Sequence, residues 1–433
     1  MWKVPAVTVL SLFLFSGCYT MQSNTSPTEG TTLPEVIDRD AMHPISLYST
    51  SFTGNRHTKT PSSSKNGDSH PPLPTRIIDL SALPDLDGSL PLLTGKRLLL
   101  IGETHTRLAD HLNQLAIIQG LYHRGKDIAI GVEFFQQPFQ AHLDDFIFGG
   151  LEHTDLLSRT EYYDRWGYDY RLYEPIMEFA RERGIPLVAL NVSSEIVKKV
   201  STQGWDGAKK TLTPSELAQF PQTVDRRNKY YEQRLRKIFE QHPDVSKKDF
   251  QRFLDVQLLW DEGMAKSAAK YLVAHPDRTL VVLAGAGHLS YGDGIPSRVK
   301  RRTPVDAAII LPATGIELDS GISSSKTIPN IADLLLVAGE QELPPAGILG
   351  VTVETKPEGV QIASFTPKSP AEMAGMEQGD RLLKIGTRTI KTTSDVKVAL
   401  WDKRPGEQIS VAIYRSNWFS SGEKIRFKVK LGK

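Results

Sequence analysis

Two histidines stand in matching strings, Gly102-Glu103-Thr104-His105 and Gly285-Ala286-Gly287-His288, each directly after an apolar, strand-like run, Arg97 to Ile101 and Thr279 to Ala284. A third such run, Ile128 to Val132, leads into Glu133. Ligands of open α/β sheets sit beyond the carboxyl ends of the strands, so the pattern predicts one crevice shared by His105, His288, Glu103 and Glu133. Two imidazoles and one or two carboxylates suit a transition-metal or polar-ligand site. In a hydrolase, these four would be the catalytic residues and would hold a divalent metal such as Mn, Co or Zn that acidifies a bound water, leaving another carboxylate as general base. The glycine opening each string allows a sharp turn and a close approach at the strand end. The plainer alternative gives both histidines only hydrogen bonds across loops, and the doubling of the motif argues against it. No G-x-S-x-G elbow is present, which disfavours a covalent serine hydrolase.

The elements that must position these residues follow from hydrophobic patterning. Strand-like runs at Arg76 to Leu80, Arg97 to Ile101, Ile128 to Val132, Pro186 to Val192, Thr279 to Ala284, Val305 to Leu311 and Ile331 to Val337 alternate with helical patterns. This predicts an α/β fold with a largely parallel sheet flanked by helices. Ala109 to Arg124 carries Leu112, Leu115, Ile118, Leu121 and Tyr122 at helical spacing and ends at Gly125, and Tyr170 to Arg183 ends at Gly184. Thr223 to Ala274 reads as two helices broken near His242-Pro243, an insertion long enough to form a helical cap over the site. Asn191 ends a strand and is placed to line the crevice or to make a turn.

The 433 residues are too many for one ordinary domain, and 24% charged with 39% hydrophobic content is a globular composition. The net charge of +2 and the lack of a long basic segment argue against a nucleic-acid partner. The basic run Arg298, Lys300, Arg301 and Arg302 reads as a solvated helix face, or else as a contact for anionic lipid or a ligand's propionates. The single cysteine rules out an intrachain disulfide framework. Residues 1–17 have the layout of a secretory signal peptide, with Lys3 before an apolar run too short to span a bilayer. Phe15-Ser16-Gly17-Cys18 resembles a lipobox, which implies a lipoprotein acylated on Cys18, with palmitate among its chains, and anchored to a membrane. Tyr19 after the cysteine favours the cell outer membrane of a bacterial envelope. Residues 18–74 then form a Ser/Thr/Pro-rich tether, spanning on the order of 40 Å as flexible coil.

Residues 75–340 hold the α/β domain, and residues 343–433 switch to strands and turns with one helical pattern near Ser394 to Trp401. In this second segment Gly347-Ile348-Leu349-Gly350-Val351, Ser369-Pro370-Ala371-Glu372-Met373-Ala374-Gly375 and Gly379-Asp380-Arg381-Leu382-Leu383-Lys384-Ile385 closely resemble a PDZ domain of the HtrA type. The resemblance implies a small β-rich domain that captures the C-terminal peptide of an envelope protein by strand addition. Backbone amides of Ile348, Leu349 and Gly350, before Val351, would receive the carboxylate, and Val396 and Leu400 would shape the side-chain pocket.

In the first domain the two G-x-x-H strings, Val132-Glu133-Phe134 and the extended Gly285 to Pro296 string with its Tyr291 are similar to the ChaN-type haem-binding uptake domain, in the superfamily that holds Tiki proteases and erythromycin-esterase-like enzymes. Trp166, the Arg171 to Arg181 helix and Gln257 to Ala265 fall within the same resemblance. It implies haem as cofactor and a role in iron uptake, with Tyr291, His288 and His105 as haem-binding residues, and it leaves an enzymatic role open. Haem needs an apolar slot and an axial ligand. Phe134, Phe135, Phe139, Tyr162, Tyr163, Trp166, Tyr168 and Tyr170 cluster where a slot would form, or else pack the cap onto the sheet. A non-catalytic envelope adaptor is the remaining alternative, and a homodimer is compatible with the sequence.

Overall fold

The computed structural model describes residues 82–240, 247–314, 330–417 and 420–433. The signal peptide, Cys18, the tether and the strand expected at Arg76 to Leu80 lie outside the described residues. Two short helices, α1 (Leu86–Ser89) and α2 (Pro91–Thr94), lead into β1 (Leu98–Glu103). There follow α3 (Leu108–His123), β2 (Ile128–Gln136), α4 (Gln140–Ile147), α5 (His153–Arg159), α6 (Tyr162–Arg165), α7 (Glu174–Arg183) and β3 (Leu187–Asn191). Next come α8 (Ser194–Thr211), α9 (Pro214–Gln219), α10 (Lys229–Glu240), α11 (Lys247–Ala274), β4 (Thr279–Gly285), α12 (Ala286–Leu289), α13 (Ile295–Arg302), β5 (Ala307–Pro312) and β6 (Leu334–Leu336).

The sheet order is β3-β2-β4-β1-β5-β6, and every pairing in it is parallel. Its strands are near-continuous apolar runs because both faces are covered. Alternate residues divide between two cores: Leu99, Ile101, Val281 and Leu283 face one layer, Leu98, Leu100, Val282 and Ala284 the other. Burying one such side chain completely contributes about 1.5–3 kcal/mol, so the register of β1 against β4 is held strongly.

The expected strands appear with two changes. The strand before Glu133 runs on to Gln136, so Glu133 lies within it, at the point where pairing with β3 and β4 lapses after Val132. The last one shrinks to three residues. Tyr170 to Arg183 is a 3-10 turn over Tyr170–Leu172 and then α7, whose Pro175 fits a first helical turn. Helix α3 buries Ile118 and Leu121 and packs Leu115 and Tyr122 on the core as its stripe predicts, with Leu112 the exception. Leu112 is 38% exposed while His111 and Gln114 are buried, because that face meets polar groups at the end of β1. The long insertion is α8 to α11. The C-terminal half of α11 covers the sheet through Met264, Ala265, Ala268 and Leu272, and its N-terminal half packs with α8 and α10 above the strand ends.

The C-terminal region is an antiparallel sheet, β12-β11-β9-β8-β7. Its strands are β7 (Val351–Lys356), β8 (Gly359–Phe365), β9 (Arg381–Ile385), β10 (Arg388–Thr389), β11 (Gln408–Asn417) and β12 (Ser420–Lys430), and β10 pairs with β9. Two helices accompany it, α14 (Pro370–Met373) and α15 (Thr393–Leu400). Strand β7 is an edge.

Candidate functional site

Strands β1, β4 and β2 lie side by side and end together, so parallel pairing brings Glu103, His105, Glu133 and His288 into one crevice. Gly285 is opposite Glu103 in the register, and its amide donates to Glu133 Oε2 at 2.7 Å. A Cβ on Gly285 would stand 2.9 Å from His105 Cε1 and 3.7 Å from Glu133 Oε2, so the second glycine leaves the room in which imidazole and carboxylate meet.

Each histidine is held by its own carboxylate. His105 Nδ1 is 2.8 Å from Glu103 Oε1, and His288 Nδ1 is 2.6 Å from Asp261 Oδ1. Glu133 lies between them, with Oε1 3.4 Å from His288 Nε2. All five are buried. Glu103 is surrounded by donors: Tyr173 Oη donates to Oε1 at 3.0 Å and Gln114 Nε2 to Oε2 at 2.9 Å, while His111 Nδ1 stands 3.3 Å from Oε2. Asp261 Oδ2 accepts from Tyr231 Oη at 2.6 Å, and Arg298 lies 4.0 Å away.

This wiring sets the charges. Burial alone would raise the Glu103 carboxyl, but the charges of His111 and His105 and the donated hydrogen bonds outweigh it and hold the group at about 2. Burial would lower His288, yet Glu133 and Asp261 override it and push the imidazole up to about 9. His105 is raised against burial by Glu103 and Glu133. Burial would raise Asp261, but the charge of His288 and its hydrogen bond hold it below the usual carboxylate range. At neutral pH His288 is therefore an imidazolium clamped between two carboxylates.

The four sequence-predicted residues thus converge, but not as a metal cage. Both oxygens of Glu103 are taken by donors, Glu133 Oε2 is taken by a backbone amide, and no group of three or more His, Cys, Asp or Glu among the described residues is arranged to hold a metal ion. Tyr291 lies just past α12 at φ 60, half-buried, its ring 5.4 Å from that of Tyr230 on α10 in a T-shaped contact. Of the eight clustered aromatics, Phe134, Phe135, Tyr162 and Tyr170 are buried in the core, so they form packing rather than a slot. Trp166 and Tyr168 are half-buried and close over His105, with ring centroids 4.8 and 4.9 Å from it. Between them Gly167 has φ 84, a conformation that glycine takes without strain.

Asn191 does line the crevice wall. Its Nδ2 donates to the Glu133 carbonyl at 3.2 Å, and its Oδ1, like the Tyr162 hydroxyl, has no hydrogen-bond partner. Both residues border a cavity of about 20 Å³ beside Glu133, room for a single water. The basic run is a solvated face only in part, since Lys300 and Arg301 are exposed. Arg298 is buried and donates to the Asp293 and Gly294 carbonyls, and Arg301 and Arg302 pair with the fully buried Glu262 at 2.6 and 2.5 Å.

Sequence reasoning missed Asp261, Tyr231, His111, Gln114 and Tyr173. A signal existed for some of them: Asp261-Glu262 interrupts an otherwise apolar stretch of α11, and His111 and Gln114 recur three apart on one face of α3.

In the C-terminal region Gly350 sits at φ 71, and a Cβ there would stand 2.9 Å from Pro370 Cδ and 2.9 Å from Thr366 Oγ1, so the loop requires glycine. The Ile348 amide donates to the Gly432 carbonyl at 3.1 Å. That amide is engaged within the domain. Val396 is buried in the domain core, and Leu400 packs beside it facing the β7 groove.

Segments of this chain are similar to known proteins. Residues 90–299 match the family described as haem-binding uptake, Tiki superfamily, ChaN, and residues 347–431 match the PDZ domain. The "Putative serine protease HhoB" of Synechocystis sp. is 28% identical over 177 residues, 32% of this chain and 42% of that protein. Protein RETICULATA-RELATED 5, chloroplastic, of Arabidopsis thaliana is 23% identical over 222 residues, 47% of this chain and 29% of that protein. The chain thus spans less than half the length of either relative. A solved structure described as cofacial heme binding to ChaN of Campylobacter jejuni superposes with a TM-score of 0.43 and 15% identity, covering 53% of this chain and 87% of that one.

Proposed function

Because residues 90–299 belong to the haem-binding uptake, Tiki superfamily, ChaN family and residues 347–431 form a PDZ domain, we propose that this protein binds haem at the bacterial cell envelope, in iron acquisition, and recruits a peptide partner through its PDZ groove. Acylation of Cys18 would anchor it, with the tether standing the folded body off the lipid. Among the described residues no helix is long and apolar enough to cross a membrane. The substitution Cys18→Ser should release the protein from membranes, and retention there would refute acylation.

The observation that carries the haem reading is the placement of Tyr291. His105 and His288 are buried at 4% and 8% exposure and tied to carboxylates, and the adjoining cavity of about 20 Å³ is far below the several hundred Å³ of a cofactor pocket. Tyr291 is half-buried, its hydroxyl in a hydrogen bond with Tyr230 that an incoming ligand would replace. Its phenol fits axial ligation, and Tyr230, 38% exposed, offers an apolar wall beside it. Haem, when bound, would supply a Lewis-acidic iron, and Tyr291 would present the phenol that holds it while Tyr230 shields it on one side. Titration of the full chain with hemin, followed at the Soret band, should saturate, and Tyr291→Phe should weaken binding at least about tenfold. Equal affinity in that variant would refute the assignment.

One observation favours a second reading, hydrolysis by proton transfer. Glu133 lies between two carboxylate-anchored imidazoles, an arrangement suited to general acid and base work without a metal. A panel of ester substrates assayed in the presence of EDTA tests it, and no turnover sensitive to Glu133→Gln would end it.

A further inference from the structure

Helix α15 has two buried faces. Val396, Ala399 and Leu400 pack into the PDZ core and line the groove beside edge strand β7, while Val398 and Trp401 pack into the core of the α/β domain. The contact is specific: Ser394 Oγ donates to Asp164 Oδ1, Trp401 Nε1 donates to Thr154 Oγ1 at 3.3 Å, and Arg388 of β10 donates to the Thr154 carbonyl and to Ser158 Oγ. The Lys397 ammonium lies 5.6 Å from the centre of the Tyr163 ring. A peptide wedged between β7 and α15 therefore presses on a helix whose far side rests on α5 and α6.

Helix α6 is the base of the lid over His105. It begins at Glu161, held at φ 51, a left-handed conformation that costs a non-glycine residue energy. It ends at Arg165, and the next three residues are Trp166, Gly167 and Tyr168, the segment that closes on His105. Trp166 also reaches the site by hydrogen bonds: its Nε1 donates to Tyr173 Oη at 3.2 Å, and Tyr173 Oη donates to Glu103 at 3.0 Å. The docking contact has space beside it, an open cleft of about 410 Å³ bordered by Thr154, Asp155, Arg388, Lys391 and Asp395, so α15 can shift against α5 without collision.

We propose that a C-terminal peptide in the PDZ groove displaces α15 from α5 and α6 and so opens the Trp166–Tyr168 lid, exposing the crevice of His105 and His288. The groove-free protein is thereby held shut. This rests on the peptide-binding reading of the groove, and the test separates the two. With the full chain, binding of a fluorescein-labelled decapeptide ending in a free valine carboxylate is followed by anisotropy, with its C-terminal amide as control. The rate at which diethylpyrocarbonate modifies His105, and hydrogen exchange of residues 162–168, are then read by mass spectrometry. At saturating acid peptide both should rise at least about fivefold, the lower end of ordinary coupling, and the amide should leave them unchanged. The double substitution Arg388→Ala, Ser394→Ala should raise both without peptide. Peptide that fails to bind overturns the groove reading and this inference with it. Peptide that binds while His105 and residues 162–168 stay protected overturns the coupling alone, as does a double variant with an undisturbed lid.

Discussion

The charge clamp around His288 gives the sharpest quantitative expectation. Its imidazole stands at about 9 in the fold against an ordinary 6.5, through Glu133 and Asp261 acting against burial. A rise of this size corresponds to about 3 kcal/mol of preference for the protonated form, at roughly 1.4 kcal/mol per unit. Since the folded value lies above the unfolded one, the contribution is complete below pH 6.5 and is lost as pH climbs through 9. The substitution Asp261→Asn keeps an oxygen for the 2.6 Å contact with Nδ1 but removes one of the two charges. The His288 titration should then fall by about 1–2 units, and stability at pH 7 by about 1.5–3 kcal/mol.

Two-dimensional NMR of histidine-labelled protein reads the titration directly, and urea unfolding from pH 5 to pH 10 reads the stability. In the parent protein the alkaline loss should fall between pH 6.5 and 9; in the variant it should shift toward neutrality. An unchanged His288 titration in Asp261→Asn would show that Glu133 alone supplies the field, and the two-carboxylate account would fail.

Three further substitutions test other parts of the structure. Glu103→Gln turns a carboxylate oxygen that accepts from Gln114, and lies 3.3 Å from His111, into a competing donor. It should cost about 2–4 kcal/mol in urea unfolding at pH 7. Because Glu103 is lowered to about 2, its stabilisation is present above pH 4.5 and lost as pH falls through 2, so the variant's stability should decline less steeply in acid. Gly294→Ala would put a Cβ 2.1 Å from the His288 carbonyl oxygen, a backbone clash that should lower the melting temperature by more than about 5 °C in circular dichroism. Arg415→Ala strips the buried Asp380 of contacts at 2.8 Å and should destabilise the PDZ region by about 3 kcal/mol, seen as faster hydrogen exchange confined to β9 and β11.

How far the sequence revealed the site depended on whether a residue's role was local. The strand ends carrying Glu103, Glu133 and the second glycine-histidine string were legible, because apolar runs followed by glycine are set by the chain's own periodicity. Parallel pairing then forces such ends together. Asp261 was not legible: it sits in the middle of a 28-residue helix, and only the packing of α11 over the end of β4 turns it toward His288. The face of α3 was legible except at its start: Ile118 and Leu121 are buried as expected, but Glu103 needs donors, so His111 and Gln114 are buried there and Leu112 turns outward.

The same distinction separates the two candidate chemistries. The crevice sets carboxylates and imidazoles within hydrogen-bond reach of one another, which suits proton transfer, and it resists a bulky ligand while the lid is shut. Tyr291 lies half-buried on a left-handed turn beside Tyr230 and suits coordination. The two chemistries therefore need not compete for one location. The lid borne on α6 closes over His105, and α15, which lines the peptide groove, docks on α6, so in the proposed coupling a bound peptide governs access to the imidazoles.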